Sequence, residues 1–196
     1  MLKKVLLVTP GSYGENDLTP RGIDNVRWLG RQTTTRELRP KIVFFTNEKE
    51  CMHSALIFAG VVKSVDYVAS LGSSFDIPSH ELLSDIDLES SRGKRIWTRK
   101  KINLQNEKRK KFWRQFRDAL RTEETARAYL EKACPIPDDV EEVAIVSVPG
   151  FGGVFPKWCN KPLAYTLWIC PIIWTLDVQT QTLSPSAEIR ERFNIG

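Results

Sequence analysis

The chain has 196 residues, 41% hydrophobic and 27% charged, the balance of an ordinary globular domain able to bury a core without disulfides or metals. Four widely spaced cysteines (Cys51, Cys134, Cys159 and Cys170) form no Cys-x-x-Cys pair, which argues against a zinc site or disulfide framework and suits a reducing cytosol. The net charge of +5 hides an asymmetry: residues 92–117 hold twelve Lys/Arg against one acid, Glu107, a balance of +11 that leaves the remainder at −6.

No stretch reads as a membrane span. The longest apolar run near the C-terminus, Leu163 to Leu176, is interrupted by Pro171 and Thr175 and falls short of about 20 residues. Val5 to Val8 is too short for a signal-peptide core. The expectation is one domain over residues 1–196, in the cytoplasm.

Taken in chain order, residues 3–9 form a continuous apolar run, as a strand buried on both faces of a parallel sheet would. A loop over residues 10–17 follows. Thr19 then caps a helix with Pro20 at its first position, where the missing N–H costs nothing. Ile23, Val26, Trp28 and Leu29 give that helix a buried face to about Arg36. Residues 41–46 predict a second strand, and Cys51, Ala55, Phe58 and Ala59 a second helix. Val61 to Tyr67 predicts a further short strand.

Residues 71–105, with serines, charges, Gly72 and Gly93, read as an irregular basic insertion. Residues 107–132 read as one long helix with Phe112, Phe116, Ala119, Leu120, Ala126, Tyr129 and Leu130 on its apolar stripe, closed by Pro135 and Pro137. Val143 to Val148 predicts a strand running into Gly150-Phe151-Gly152-Gly153, a tight turn whose N–H groups an anion could use. A helix over 161–165 and a last strand over 172–178 complete the pattern. Strands alternating with helices predict an α/β domain, a three-layer sandwich on a mainly parallel sheet.

Three stretches resemble the histidine phosphatase superfamily, the phosphoglycerate-mutase-like proteins. They are Thr9-Pro10-Gly11 with Leu18-Thr19-Pro20-Arg21-Gly22, then Phe44 to Ala55, and then Ser147-Val148-Pro149-Gly150. Leu83-Ser84-Asp85-Ile86-Asp87 is a weaker echo. In that family the first strand ends in Arg-His-Gly, the next helix opens with Leu-Thr-x-x-Gly, and a late strand ends in Ser-His-Gly.

The resemblance implies a phosphoglycerate-mutase-like fold and a histidine nucleophile flanked by two arginines and a second histidine. Here Thr9 and Pro10 stand for Arg-His, Pro149 for the second histidine, and Glu50 for the other arginine, or Cys51 after a one-residue slip. Covalent catalysis needs a lone pair that proline lacks, and phosphoryl transfer needs positive charge that a carboxylate opposes by several kcal/mol in a poorly solvated pocket. Thr9, Pro10, Gly11, Ser12, Glu50, Pro149 and Gly150 are therefore expected to line a vestigial pocket with no catalytic residue. It should lie at the C-terminal ends of the strands, where such sheets place their crevice.

The expected function is a catalytically inactive relative acting as a binding or regulatory module, with its protein or small-molecule ligand and its oligomeric state left open. No cofactor and no metal is implied. One alternative is a divergent hydrolase with a recruited nucleophile, Cys51 or Ser12. Neither has a neighbouring base in sequence, Ser147 reads as a polar loop residue, and the two histidines, His53 and His80, read as structural or solvent-facing.

The other alternative is an anion-binding protein, for nucleic acid or an acidic partner. It would act through residues 92–117, above all Lys100, Lys101, Lys108, Arg109, Lys110 and Lys111, with Trp97, Phe112, Trp113 and Phe116 interleaved. No recognisable nucleic-acid module accompanies them, and the aromatics at 112, 113 and 116 equally fit a core stripe.

Overall fold

A computed structural model describes residues 1–14, 17–72, 89–147 and 173–185. Six strands form one sheet in the order β3-β2-β4-β1-β5-β6. They are β1 (Lys4–Val8), β2 (Ile42–Phe45), β3 (Tyr67–Ser70), β4 (Glu142–Val146), β5 (Ile173–Asp177) and β6 (Thr182–Pro185). Between them run α1 (Pro20–Thr35), α2 (Lys49–Val61), α3 (Ser91–Ala119) and α4 (Glu123–Leu130). The four strands β1 to β4 are parallel, and β5 and β6 extend the sheet as an antiparallel pair. The mainly parallel α/β sheet is as the sequence predicts.

β1 lies between β4 and β5, in register from Lys4 opposite Glu142 to Val8 opposite Val146. Its Val5, Leu6, Leu7 and Val8 are all buried, which accounts for the unbroken apolar run. The step from β1 to β2 passes β4 in one direction, and the return from β3 to β4 runs in the other. Because parallel crossovers are right-handed, α1 and α2 occupy one face of the sheet and the α3–α4 pair the other. The three-layer arrangement follows.

α1 begins as its sequence dictates: the Thr19 hydroxyl accepts from the Gly22 N–H and Pro20 takes the first helical position. Three sequence expectations are corrected. Val61 to Tyr67 is not a strand; α2 continues through Val61, a turn closed by Val65 N–H to Val62 C=O follows, and β3 starts only at Tyr67.

Second, the irregular insertion becomes helix from Ser91, with the Ser90 hydroxyl accepting from the Gly93 N–H. Most of residues 91–111 are exposed, so no apolar stripe was there to announce it. Third, the single helix over 107–132 is two. Thr122 and Thr125 form a reciprocal capping box that starts α4 afresh after α3 ends at Ala119. Phe112, Trp113 and Phe116 enter the core, Phe116 edge-on to Tyr129 of α4. No described helix is long and apolar enough to cross a membrane.

Candidate functional site

The C-terminal ends of β1, β2 and β4 lie side by side, and their first residues beyond the ladder are hydroxyl-bearing. Thr9, Thr46 and Ser147 are 3%, 0% and 1% exposed. The ladder carries on into them, since Ser147 N–H donates to Val8 C=O and Thr46 N–H to Val146 C=O. The Thr46 hydroxyl donates to Ser147 Oγ at 3.2 Å. Hydroxyls fit here because buried polar atoms must find partners, and short ones can satisfy each other.

Beyond Thr9 the chain turns at Pro10, which is half-buried, and Gly11, which is buried. The Gly11 N–H donates to Ser54 Oγ of α2 at 2.9 Å, a buried bond. Gly11 also rests on the first turn of α1. A Cβ on Gly11 would lie 2.6 Å from the Gly22 carbonyl oxygen, and one on Gly22 would lie 2.3 Å from the Ser12 carbonyl oxygen. Only glycine allows backbone to meet backbone at that separation. Thr19 N–H donates to Ser12 C=O at 2.9 Å, and the Ser12 and Thr19 hydroxyls are 2.8 Å apart. The described motif stretches, remote in sequence, thus converge at one end of the sheet.

Among the described residues the charged groups at this end are mostly acidic. Glu48 is buried at the entry to α2, and Glu50 is half-buried in its first turn. Asp17 Oδ1 accepts from the Leu18 N–H and lies 2.7 Å from His53 Nδ1. Those contacts, the backbone N–H first and the imidazole second, hold the Asp17 carboxyl below its ordinary range. Desolvation, then the charges of Asp17 and Glu50, push the Tyr13 phenol up. Tyr13 and His53 are neighbours, ring centroids 6.1 Å apart. Lys49 and Arg21, the cations at the starts of α2 and α1, are exposed.

The structure therefore brings Thr9, Pro10, Gly11 and Ser12 together with Ser54, and Glu50 into the field of Tyr13. Ser54 and the Asp17–His53 pair belong to this site and carry roles the sequence did not assign. The resemblance of the stretch Phe44 to Ala55 to the family was the only sequence signal near Ser54. Pro149, Gly150, the glycine turn, His80 and Leu83 to Asp87 lie outside the described residues, as do Cys159, Cys170 and the helix over 161–165.

The recruited-nucleophile alternative meets the geometry badly. Cys51 is fully buried in the core, and the Ser12 hydroxyl is engaged with Thr19 rather than with a base. Among the described residues no group of three or more His, Cys, Asp and Glu could hold a metal ion.

No protein-family model matches the sequence, and neither does any curated protein. Solved structures do resemble it in shape. SixA of Agrobacterium tumefaciens aligns over 90% of this chain and 92% of its own, with a TM-score of 0.47 and 10% identity. A phosphoserine phosphatase from Entamoeba histolytica, in complex with 3-phosphoglyceric acid, aligns over 94% and 95%, with a TM-score of 0.46 and 16% identity. Phosphoglycerate mutase from Plasmodium falciparum aligns over 95% and 91%, with a TM-score of 0.44 and 9% identity. These solved neighbours are histidine phosphatase superfamily proteins, the family that the sequence motifs resemble.

Proposed function

We propose that this chain is a catalytically inactive histidine-phosphatase-like protein that works by binding, as a regulatory or scaffolding module. One observation carries the reading. Among the described residues, those at the strand ends that would hold and transfer a phosphoryl group are hydroxyls spent on each other, a proline, and carboxylates. Thr46 is bonded to Ser147, Ser54 to the Gly11 N–H, and Glu48 and Glu50 stand at the start of α2.

A phosphoryl site needs a nucleophile and converging cations. In this pocket Pro10 offers no lone pair, and the imidazole nearby, His53, is paired with Asp17. The convergence of Gly11 on Gly22 supports the view that the loop framework of the family has outlived its chemistry.

The test is hydrolysis of a panel of phosphoesters by the purified chain, with vanadate and phosphate added to a thermal melt. The expected result is no turnover above blank and no rise in melting temperature. Turnover that disappears in Ser12→Ala or Cys51→Ala, or a melting temperature raised by vanadate, would overturn the proposal.

A further inference from the structure

The longest helix of the molecule takes no part in the strand-end site. At 1.5 Å per residue, the first twenty residues of α3 extend for about 30 Å. Its anchorage is at the other end, where Phe112, Trp113 and Phe116 are buried. In the first half, Trp97, Lys101 and Gln105 form a half-buried stripe at four-residue spacing, with the Lys101 ammonium over the Trp97 ring at 5.1 Å. Around the rest of that half Arg92, Lys94, Arg95, Arg99 and Lys100 are all exposed. None of the five forms an ion pair among the described residues; the first acid along α3, Glu107, is engaged by Lys110. A shallow depression along the helix is lined by Lys94, Arg95, Thr98, Arg99 and Ile102.

At 100° per residue these five cations spread over an arc of about 240°, some two-thirds of the helix circumference. That spread selects among polyanions. A helix lying on a lipid surface segregates an apolar face, yet exposed Ile96, Ile102 and Leu104 point in well-separated directions at the same angular step. An acidic peptide docks along one side of a helix. A single strand is held by stacking on exposed aromatics, and the aromatic in this half, Trp97, is half-buried with the Lys101 ammonium over its ring. The major groove of a duplex, about 12 Å wide, accepts a helix 10–12 Å across and presents phosphates on both flanks.

We propose that the N-terminal half of α3 is a docking surface for double-stranded nucleic acid, held through Arg92, Lys94, Arg95, Arg99 and Lys100 by phosphate contacts without sequence preference. The unneutralised charge of the five supplies the driving force, by releasing counterions condensed on the duplex.

The experiment is fluorescence anisotropy of a labelled 24-base-pair duplex of random sequence, titrated with the full chain in 50 to 200 mM KCl. Five phosphate contacts give a slope of log K on log salt near −4.5, so binding weakens about 500-fold across that range. Changing all five cations to Gln should flatten the slope and weaken binding at 50 mM salt by about 100-fold or more. The same number of exposed cations changed elsewhere (Arg21, Arg27, Arg31, Arg39 and Lys63, each to Gln) should leave the slope steep. Melting temperature and circular dichroism of both variants confirm the fold, as every altered position is exposed.

No duplex binding at 50 mM salt, or an unchanged slope in the α3 variant, would refute the proposal. So would preference for the single strand, or for polyglutamate, over the duplex.

Discussion

Changing Gly22 to alanine probes the joint on which the candidate site is built. The added Cβ would sit 2.3 Å from the Ser12 carbonyl oxygen and 2.9 Å from the Ser12 nitrogen. Both are backbone atoms and cannot swing aside as a side chain could. The loop after β1 must lift from α1, at an overpacking cost of about 1–3 kcal/mol. Lifting also strains the 2.9 Å bond from Thr19 N–H to Ser12 C=O and the buried bond from Gly11 N–H to Ser54. Leaving one such group unsatisfied adds about 1–3 kcal/mol, for a total of about 2–6 kcal/mol.

Urea denaturation is the assay. With a slope of about 1–3 kcal/mol per molar, the midpoint should fall by about 1 M or more. Gly60→Ala is the matched control. A Cβ there meets nothing within 4 Å, and the position lies inside α2, so stability should rise by a few tenths to about 1 kcal/mol. A Gly22→Ala midpoint at or above the wild-type value would show that the loop does not rest on α1 as described.

Two further predictions follow from the same end of the molecule and from its carboxylates. Ser54→Ala strands the buried Gly11 N–H and should cost about 1–3 kcal/mol in the same denaturation assay; no loss would mean that the bond is dispensable. Asp17, Glu141 and Asp177 have folded-state carboxyls held low, chiefly by the Leu18 N–H, the Lys3 ammonium and the Thr180 N–H respectively. Their contribution is complete above the ordinary values of 3.8 and 4.5 and is lost as pH falls below those values through the folded ones. Stability should therefore be level from pH 7 to 5 and decline below about 4.5, less steeply in Asp177→Asn; a flat profile to pH 3 would contradict the assignment.

Much of the fold was legible because several segments state their role locally. Val5 to Val8 reads as a doubly buried strand, and Thr19-Pro20 reads as a helix start, since burial and capping act over a few residues. α3 was illegible for the opposite reason. A helix whose first half is exposed carries no periodic apolar signal, and its start rests on one serine hydroxyl. The division at Leu120 to Thr122 was hidden because Ala119, Leu120 and Ala126 keep helical spacing across it, while a two-threonine box restarts the chain. β6 lies beyond a turn closed by Asp177 Oδ1 and the Thr180 N–H, with Gln181 at φ 53°, and Thr182 to Pro185 is too short to show alternation.

The site divides in the same way. Thr9, Pro10 and Gly11 could be placed by motif, whereas the link from Gly11 to Ser54 joins residues 43 positions apart and exists only in three dimensions.

The placement of β1 has a consequence for how the protein is made. It is the first strand of the chain, yet both of its partners, β4 and β5, come from the second half. Lys4 and Glu142, paired across the sheet, are separated by 138 residues. At about 5–20 residues per second, translation leaves this apolar strand without its partners for roughly 7 to 28 s. β2 and β3, by contrast, are joined by a single helix and can pair early. Synthesis of this chain therefore has a built-in waiting period, during which Val5-Leu6-Leu7-Val8 is a natural target for a chaperone and a seed for aggregation where chaperones are scarce.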